Sequence, residues 1–283
     1  MSLIEVEAKW VRPRLPIRKP DSNKGTYGRV LVIGGSDNYI GAPALAALAA
    51  YRVGAGLVTV CVPDAIKPIV AQSCREATFI PFDVNEVRVL TGIKAVVIGP
   101  GLGQLPAARA FHEAYFAAPL EVPHVIDADA LNLLAPLSAH HSQLPKHTVI
   151  TPHPGEMSRL THLSVTDIQA NRVAVARDYA DQWGCAVLLK GAGTIVAAPG
   201  EEIARLPFAN PAMAVAGTGD VLAGTIGGFL AQGLSPFDAA ISGAFIHGTA
   251  GDHWRGMHGD AGLLASDLLP LLPDVLRNIV RDV

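Results

Sequence analysis

Short runs of β-branched and aliphatic residues alternate with longer Ala- and Leu-rich stretches, and this alternation constrains the fold more than any other feature of the sequence. The runs are Arg29–Ile33 (RVLVI), Leu57–Val62 (LVTVCV), Ala95–Ile98 (AVVI), His124–Ile126 (HVI), Thr148–Ile150 (TVI), Ala186–Leu189 (AVLL) and 194–198 (TIVAA). All seven read as strands. They lack the apolar–polar alternation of a sheet wetted on one face, so both faces are expected to be buried. Helices are expected near 42–54, 105–116, 166–182, 218–232, 236–252 and 266–280. Strand and helix in alternation give an α/β protein, a three-layer α/β/α sandwich around a mostly parallel central sheet. No linker, repeat or low-complexity segment divides the chain. It reads as one domain, 1–283, with 1–23 as an N-terminal extension.

Composition narrows the function. Half of the 283 residues are apolar and 17% are charged, far from the signature of disorder. A net charge of −3 supplies no general attraction to nucleic acid or anionic lipid. The basic residues among the first thirty are diluted by Glu5, Glu7 and Asp21 and read as solvated surface. The apolar stretch 221–237 is interrupted by glycines, Gln232, Ser235 and Pro236 and is too short to span a bilayer. No signal-peptide pattern opens the chain, and Cys61, Cys74 and Cys185 form neither a disulfide framework nor a zinc motif. A cytoplasmic setting is expected.

In parallel α/β sheets, ligands bind beyond the carboxyl ends of the strands. Five expected strands end in unusual loops: Gly34-Gly35-Ser36-Asp37, Gly99-Pro100-Gly101-Leu102-Gly103, Asp127-Ala128-Asp129, Thr151-Pro152-His153-Pro154-Gly155-Glu156 and Lys190-Gly191-Ala192-Gly193-Thr194. Neither a phosphate-loop motif nor the dinucleotide fingerprint is present. The strongest local signal is Gly217-Thr218-Gly219-Asp220 before a long apolar helix. A helix N-terminus favours phosphate, and glycines let the backbone approach it. A carboxylate there repels phosphate unless it serves to accept a proton from an attacking hydroxyl. The alternative makes Asp220 a helix cap, worth about 0.5–2 kcal/mol. His153, locked between two prolines, is a ligand contact or a structural histidine. Glu156 is either a water-mediated Mg2+ contact or a first-turn acid. Asp127 and Asp129 lean towards tying loops together. Lys190 is either a phosphate partner or a solvated strand end.

Jointly, KGTYG with RVLVIGGS, GAPALAALAAYRVGAGLVTV, VVIGPGLG, DADALN, TPHPGE, LLKGAGT and NPAMAVAGTGDVLAG resemble the ADP/ATP-dependent (S)-NAD(P)H-hydrate dehydratase family, whose fold is ribokinase-like. The segments run in family order over about residues 24–252. Ala212 departs from the family pattern, which often has Gly there. The resemblance implies that Asp220 is the catalytic base. It implies that Ala42, Gly103, His153 and Asp220 contact the hydrated nicotinamide nucleotide, and that Lys190, Gly191, Ala192, Gly193, Thr194, Gly217, Thr218 and Gly219 hold the adenine nucleotide. It further implies Mg2+, ADP or ATP as phosphoryl donor (with ADP favoured), a homo-oligomer (a tetramer favoured), and no nucleic-acid or membrane partner. The separate epimerase domain of some relatives is expected to be absent. The rival readings are a small-molecule kinase of the same fold and a non-catalytic adenine-nucleotide sensor.

Overall fold

The computed structural model describes residues 3–136 and 144–281. Among the described residues ten strands form one sheet: β1 (Leu3–Glu5), β2 (Arg29–Ile33), β3 (Leu57–Val62), β4 (Thr78–Pro81), β5 (Ala95–Ile98), β6 (His124–Ile126), β7 (Thr148–Ile150), β8 (Ala186–Leu189), β9 (Ile195–Ala197) and β10 (Ile203–Arg205). Their spatial order is β1-β10-β9-β8-β7-β6-β5-β2-β3-β4. Every pairing is parallel except those of β9, which runs against both β8 and β10.

Neighbouring residues on a strand point to opposite faces, and here both faces are packed. Val30 and Val32 enter one apolar cluster while Leu31 and Ile33 enter the other, all at 0% exposure. That double burial explains the unbroken apolar runs. Helices cover both faces: α1 (Ala8–Val11), α2 (Ala42–Arg52), α3 (Lys67–Ser73), α4 (Val84–Arg88), α5 (Pro106–Ala117), α6 (Asp129–Leu134), α7 (Pro154–Thr161), α8 (Val165–Ala170), α9 (Arg172–Trp183), α10 (Thr218–Ala231), α11 (Pro236–His258) and α12 (Ala265–Arg281). Helix α10 lies in the larger cluster, with every residue from Val221 to Ala231 buried. It approaches α2 so closely that a Cβ at Gly224 would sit 2.0 Å from the Ala46 carbonyl oxygen. This contact fixes the height of the α10 N-terminus above the sheet.

Several elements depart from the sequence reading. The helix expected over 166–182 is two helices, broken at Asn171, whose side-chain amide turns back to the Asp167 carbonyl. Helix α11 runs six residues beyond 252, and the last expected strand shortens to Ile195–Ala197. Strands β1, β4 and β10 escaped detection because they are short and lie at or near the sheet edges, where burial is uneven. The expected extension, 1–23, takes part in the fold. Residues Leu3–Glu5 add an edge strand beside β10, and Val6 and Val11 are buried in the core. Its arginines are also engaged: Arg12 donates to the Ile279 carbonyl and Arg14 to Asp238.

Candidate active site

The five unusual loops follow β2, β5, β6, β7 and β8, which are five consecutive parallel strands in the sheet. Their carboxyl ends therefore share one edge. The order of connection reverses between the parallel neighbours β2 and β5, the chain stepping outward one way through β3 and β4 and the other way through β6, β7 and β8, and here the Gly35 N–H donates to the Pro100 carbonyl. This is the switch point at which such sheets open a crevice.

Gly99 has φ +123°, and a Cβ there would lie 1.8 Å from the Asp127 carbonyl oxygen, so only glycine lets the two loops meet. Ala128 has φ +49° and ψ −122°, a sparsely populated conformation for a non-glycine residue. That strained residue separates two aspartates with different tasks. Asp129 accepts from the Gly103 N–H at 2.9 Å and ties the 99–103 loop in place. Asp127, 2% exposed, accepts from the Thr151 hydroxyl at 2.7 Å and from Lys190 Nζ at 2.8 Å.

Lys190 closes the cluster. Its ammonium also lies 3.7 Å from Glu156 and 3.5 Å from where a Cβ of Gly219 would stand. Burial opposes its charge, but Asp127 and Glu156 outweigh burial and hold it above the ordinary lysine value. Glu156 is buried, and desolvation raises its pKa against the pull of Lys190. It forms a capping box with His153. The His153 Nδ1 accepts from the Gly155 and Glu156 N–H groups, and Glu156 accepts from the His153 N–H. Burial and the nearby Lys190 and Arg159 lower the His153 pKa, and the two N–H groups that Nδ1 accepts make Nε2 the nitrogen that carries a proton.

Asp220 is the third residue of α10. It is not the cap, which is Gly217 at φ +92° with no side-chain capping bond. Burial, then the Asp127 carboxylate, pushes Asp220 up from 3.8 to about 7, against the pull of Lys190. A carboxylate near the α10 amides with that proton affinity is suited to accept a proton at neutral pH.

Lys190, Gly191, Ala192, Thr194, Thr218 and Gly219 line one cavity of about 530 Å³. Gly193 lies outside its lining, in a second cavity of about 490 Å³ beside Arg172 and Arg205, and Gly217, the α10 cap, is also outside the lining. Ala42 adjoins the middle glycine of the 99–103 loop: a Cβ on Gly101 would stand 2.9 Å from its side chain. Ala42 and Gly103 thus flank one loop, whereas His153 and Asp220 belong with the Lys190 cluster. Asp127 and Asp129 tie loops together, as the sequence reading favoured, while His247, which lines the cavity, was missed. A histidine inside the apolar run Ala244-Phe245-Ile246-His247-Gly248 was the available signal.

No helix among the described residues is long and apolar enough to cross a membrane. A family model described as NAD(P)H-hydrate dehydratase matches residues 30–274. The bifunctional NAD(P)H-hydrate repair enzyme Nnr of Moorella thermoacetica is 41% identical over 98% of this chain and 54% of its own length. This chain therefore spans about half the length of that relative. An ADP-dependent (S)-NAD(P)H-hydrate dehydratase of Neisseria meningitidis is 40% identical, covering 89% of this chain and 86% of that protein. The structure of the ADP/ATP-dependent NAD(P)H-hydrate dehydratase of Bacillus subtilis, co-crystallised with ATP and Mg2+, superposes with a TM-score of 0.86 at 32% identity, covering 96% of this chain and 97% of that one. The mostly parallel sheet with helices on both sides is the ribokinase-like fold. By the family match and by these identities, the chain belongs to the NAD(P)H-hydrate dehydratase family.

Proposed function

We propose that this chain removes the added water from the S-form of hydrated NADH or NADPH at the expense of ADP or ATP, with residues 1–283 acting as one catalytic unit. Asp220 takes the proton from the hydroxyl on the nicotinamide ring. The freed oxygen attacks the terminal phosphorus of the nucleotide, whose bond to the bridging oxygen breaks and releases AMP from ADP or ADP from ATP. Phosphate leaves far more readily than hydroxide. The ring nitrogen expels it, the adjacent ring carbon loses a proton, and NAD(P)H and free phosphate remain. Backbone amides at Gly217, Thr218 and Gly219 and the Lys190 ammonium stabilise negative charge on the moving phosphoryl group. The 190–194 turn holds the nucleotide, while Ala42, Gly103 and His153 contact the hydrated ring side.

The observation that carries this reading is the Asp220 carboxylate, raised to about 7 beside the α10 amides. Among the described residues no three His, Cys, Asp or Glu side chains group as a metal site. That fits Mg2+, which keeps its water and takes few protein ligands. Glu156 would hold it through water, and the ion would neutralise phosphate charge. ADP is the favoured donor, in line with the name of the Neisseria relative. A cytoplasmic homotetramer is the setting that the family resemblance implies.

The test is purified protein with Mg2+, ADP or ATP and hydrated NADH, followed at the NADH absorbance. Recovered absorbance with one phosphate per turnover is expected, and Asp220→Asn should lower turnover by at least about 10². A stable phosphate ester without recovered NADH would identify an ordinary kinase instead. Nucleotide binding without turnover would identify a sensor. Near-normal turnover in the Asn variant would remove Asp220 from its role.

A further inference from the structure

Arg172 is a half-buried cation that the steps above leave without a task. It stands at the first position of α9, just past the break at Asn171. Its Nη1 donates to Gln169 Oε1 at 2.8 Å, across that break. Its Nη2 donates to the Leu189 carbonyl at 2.8 Å and to the Lys190 carbonyl at 3.2 Å. All three acceptors are neutral oxygens, and burial lowers its pKa below the ordinary arginine value. A charge held in this way is costly. Docking α9 on the sheet does not require it. Val175, Ala176, Ala180 and Trp183 of α9 are already buried in one apolar cluster with Val187 and Leu189 of β8.

What the guanidinium holds gives the reason for it. Leu189 ends β8, and Lys190 opens the turn that follows. The Lys190 N–H donates to the Pro152 carbonyl at 2.9 Å, so with Arg172 on its C=O the backbone of residue 190 is gripped from both sides. That double grip sets the direction of the Lys190 side chain, whose ammonium meets Asp127 at 2.8 Å and lies beside Glu156 and Gly219. The guanidinium also lies against Gly191. A Cβ on Gly191, where φ is +139°, would stand 3.1 Å from Nη1 and 3.2 Å from Nη2. Glycine supplies both the backbone angle and the room for that approach.

We propose that Arg172 is a positioning residue for the phosphoryl transfer: by holding the Leu189 and Lys190 carbonyls, it aims Lys190 at the acidic cluster and at the nucleotide phosphates. The inference rests on the nucleotide reading of the 190–194 turn and adds a residue that acts through Lys190. Asp220 reports the aim of that lysine. Beyond burial, the charged groups that face Asp220 are Asp127, Asp129 and Glu156, which raise its pKa, and Lys190, which lowers it. In Arg172→Met, turnover of hydrated NADH by the whole protein with Mg2+ and ADP should fall about 10–10²-fold, the scale of a displacement of about 1 Å. The acid limb of the rate profile should also move to higher pH, as the ammonium loses its hold beside Asp220. Arg172→Lys keeps the charge but is one bond shorter and lacks the planar fork. Its turnover and acid limb should fall between those of the wild type and the Met variant, which separates lost position from lost charge.

An acid limb at the wild-type pH in a folded Met variant overturns the proposal. Should the Met variant not fold, the Lys variant decides. Wild-type turnover with an unmoved limb there overturns the proposal, and a limb moved upward with the charge retained supports it. Turnover by the wild type with unmoved limbs in both variants removes only the role of Arg172, whereas a wild type that does not turn over hydrated NADH removes the nucleotide reading with it.

Discussion

If Asp220 is held in place for chemistry, its ionised form should weaken the fold, and Asp220→Asn measures by how much. The carboxyl rises from 3.8 to about 7 on folding. At about 1.36 kcal/mol per pH unit, that rise sets an upper bound of about 4 kcal/mol against the charged form. The side chain is only partly buried, and solvent at the open end screens it, so about 2 kcal/mol is the working figure. The sign follows from linkage. A carboxyl whose folded value lies above its unfolded value adds stability below about pH 4, and that stability is lost as pH rises to about 7. Asparagine does not titrate. The stability difference, variant minus wild type, should therefore grow between pH 4 and 7 and level off above 7. For a chain of this length, about 2 kcal/mol corresponds to a Tm gain on the order of 4–8 °C. Urea denaturation of both proteins from pH 4.5 to 8, with calorimetric Tm values alongside, reads this directly. Parallel stability curves over that range would show that Asp220 is not perturbed as its surroundings indicate, and the argument for its role would fail with them.

Other consequences follow from the same cluster. Because Asp220 must be ionised to accept a proton, turnover should fall with unit slope below about pH 7, and a rate flat down to pH 5 would contradict this. Replacing Lys190 by Met strands the Asp127 and Glu156 charges, which should cost about 3–5 kcal/mol. It also removes the cation that lowers Asp220, so the acid limb of the rate profile should move to higher pH, and an unmoved or lowered limb would refute the coupling. Gly99→Ala would drive a Cβ into the Asp127 carbonyl at positive φ, and a loss above about 3 kcal/mol is expected by denaturant titration. Wild-type stability there would mean that the two loops do not meet as described.

Much of the architecture was legible because the central strands are apolar on both faces. A run such as RVLVI admits few other placements, and the observed Arg29–Ile33 and Leu57–Val62 keep the boundaries read from sequence. The loops after β2, β5, β6, β7 and β8 could likewise be picked out one by one, since glycines and paired polar residues at the ends of buried strands are costly to place without reason. Edge strands β1 and β4 were not legible, because half-exposed residues carry no consistent pattern. What only the tertiary structure decided is which loops meet. Lys190 and Asp127 are 63 residues apart, yet they form a 2.8 Å ion pair because β8, β7 and β6 are sheet neighbours. The proton affinity of Asp220 likewise belongs to no local motif. It arises from burial and from carboxylates carried on two other loops, and electrostatic energy depends on distance in space, which sequence spacing does not record.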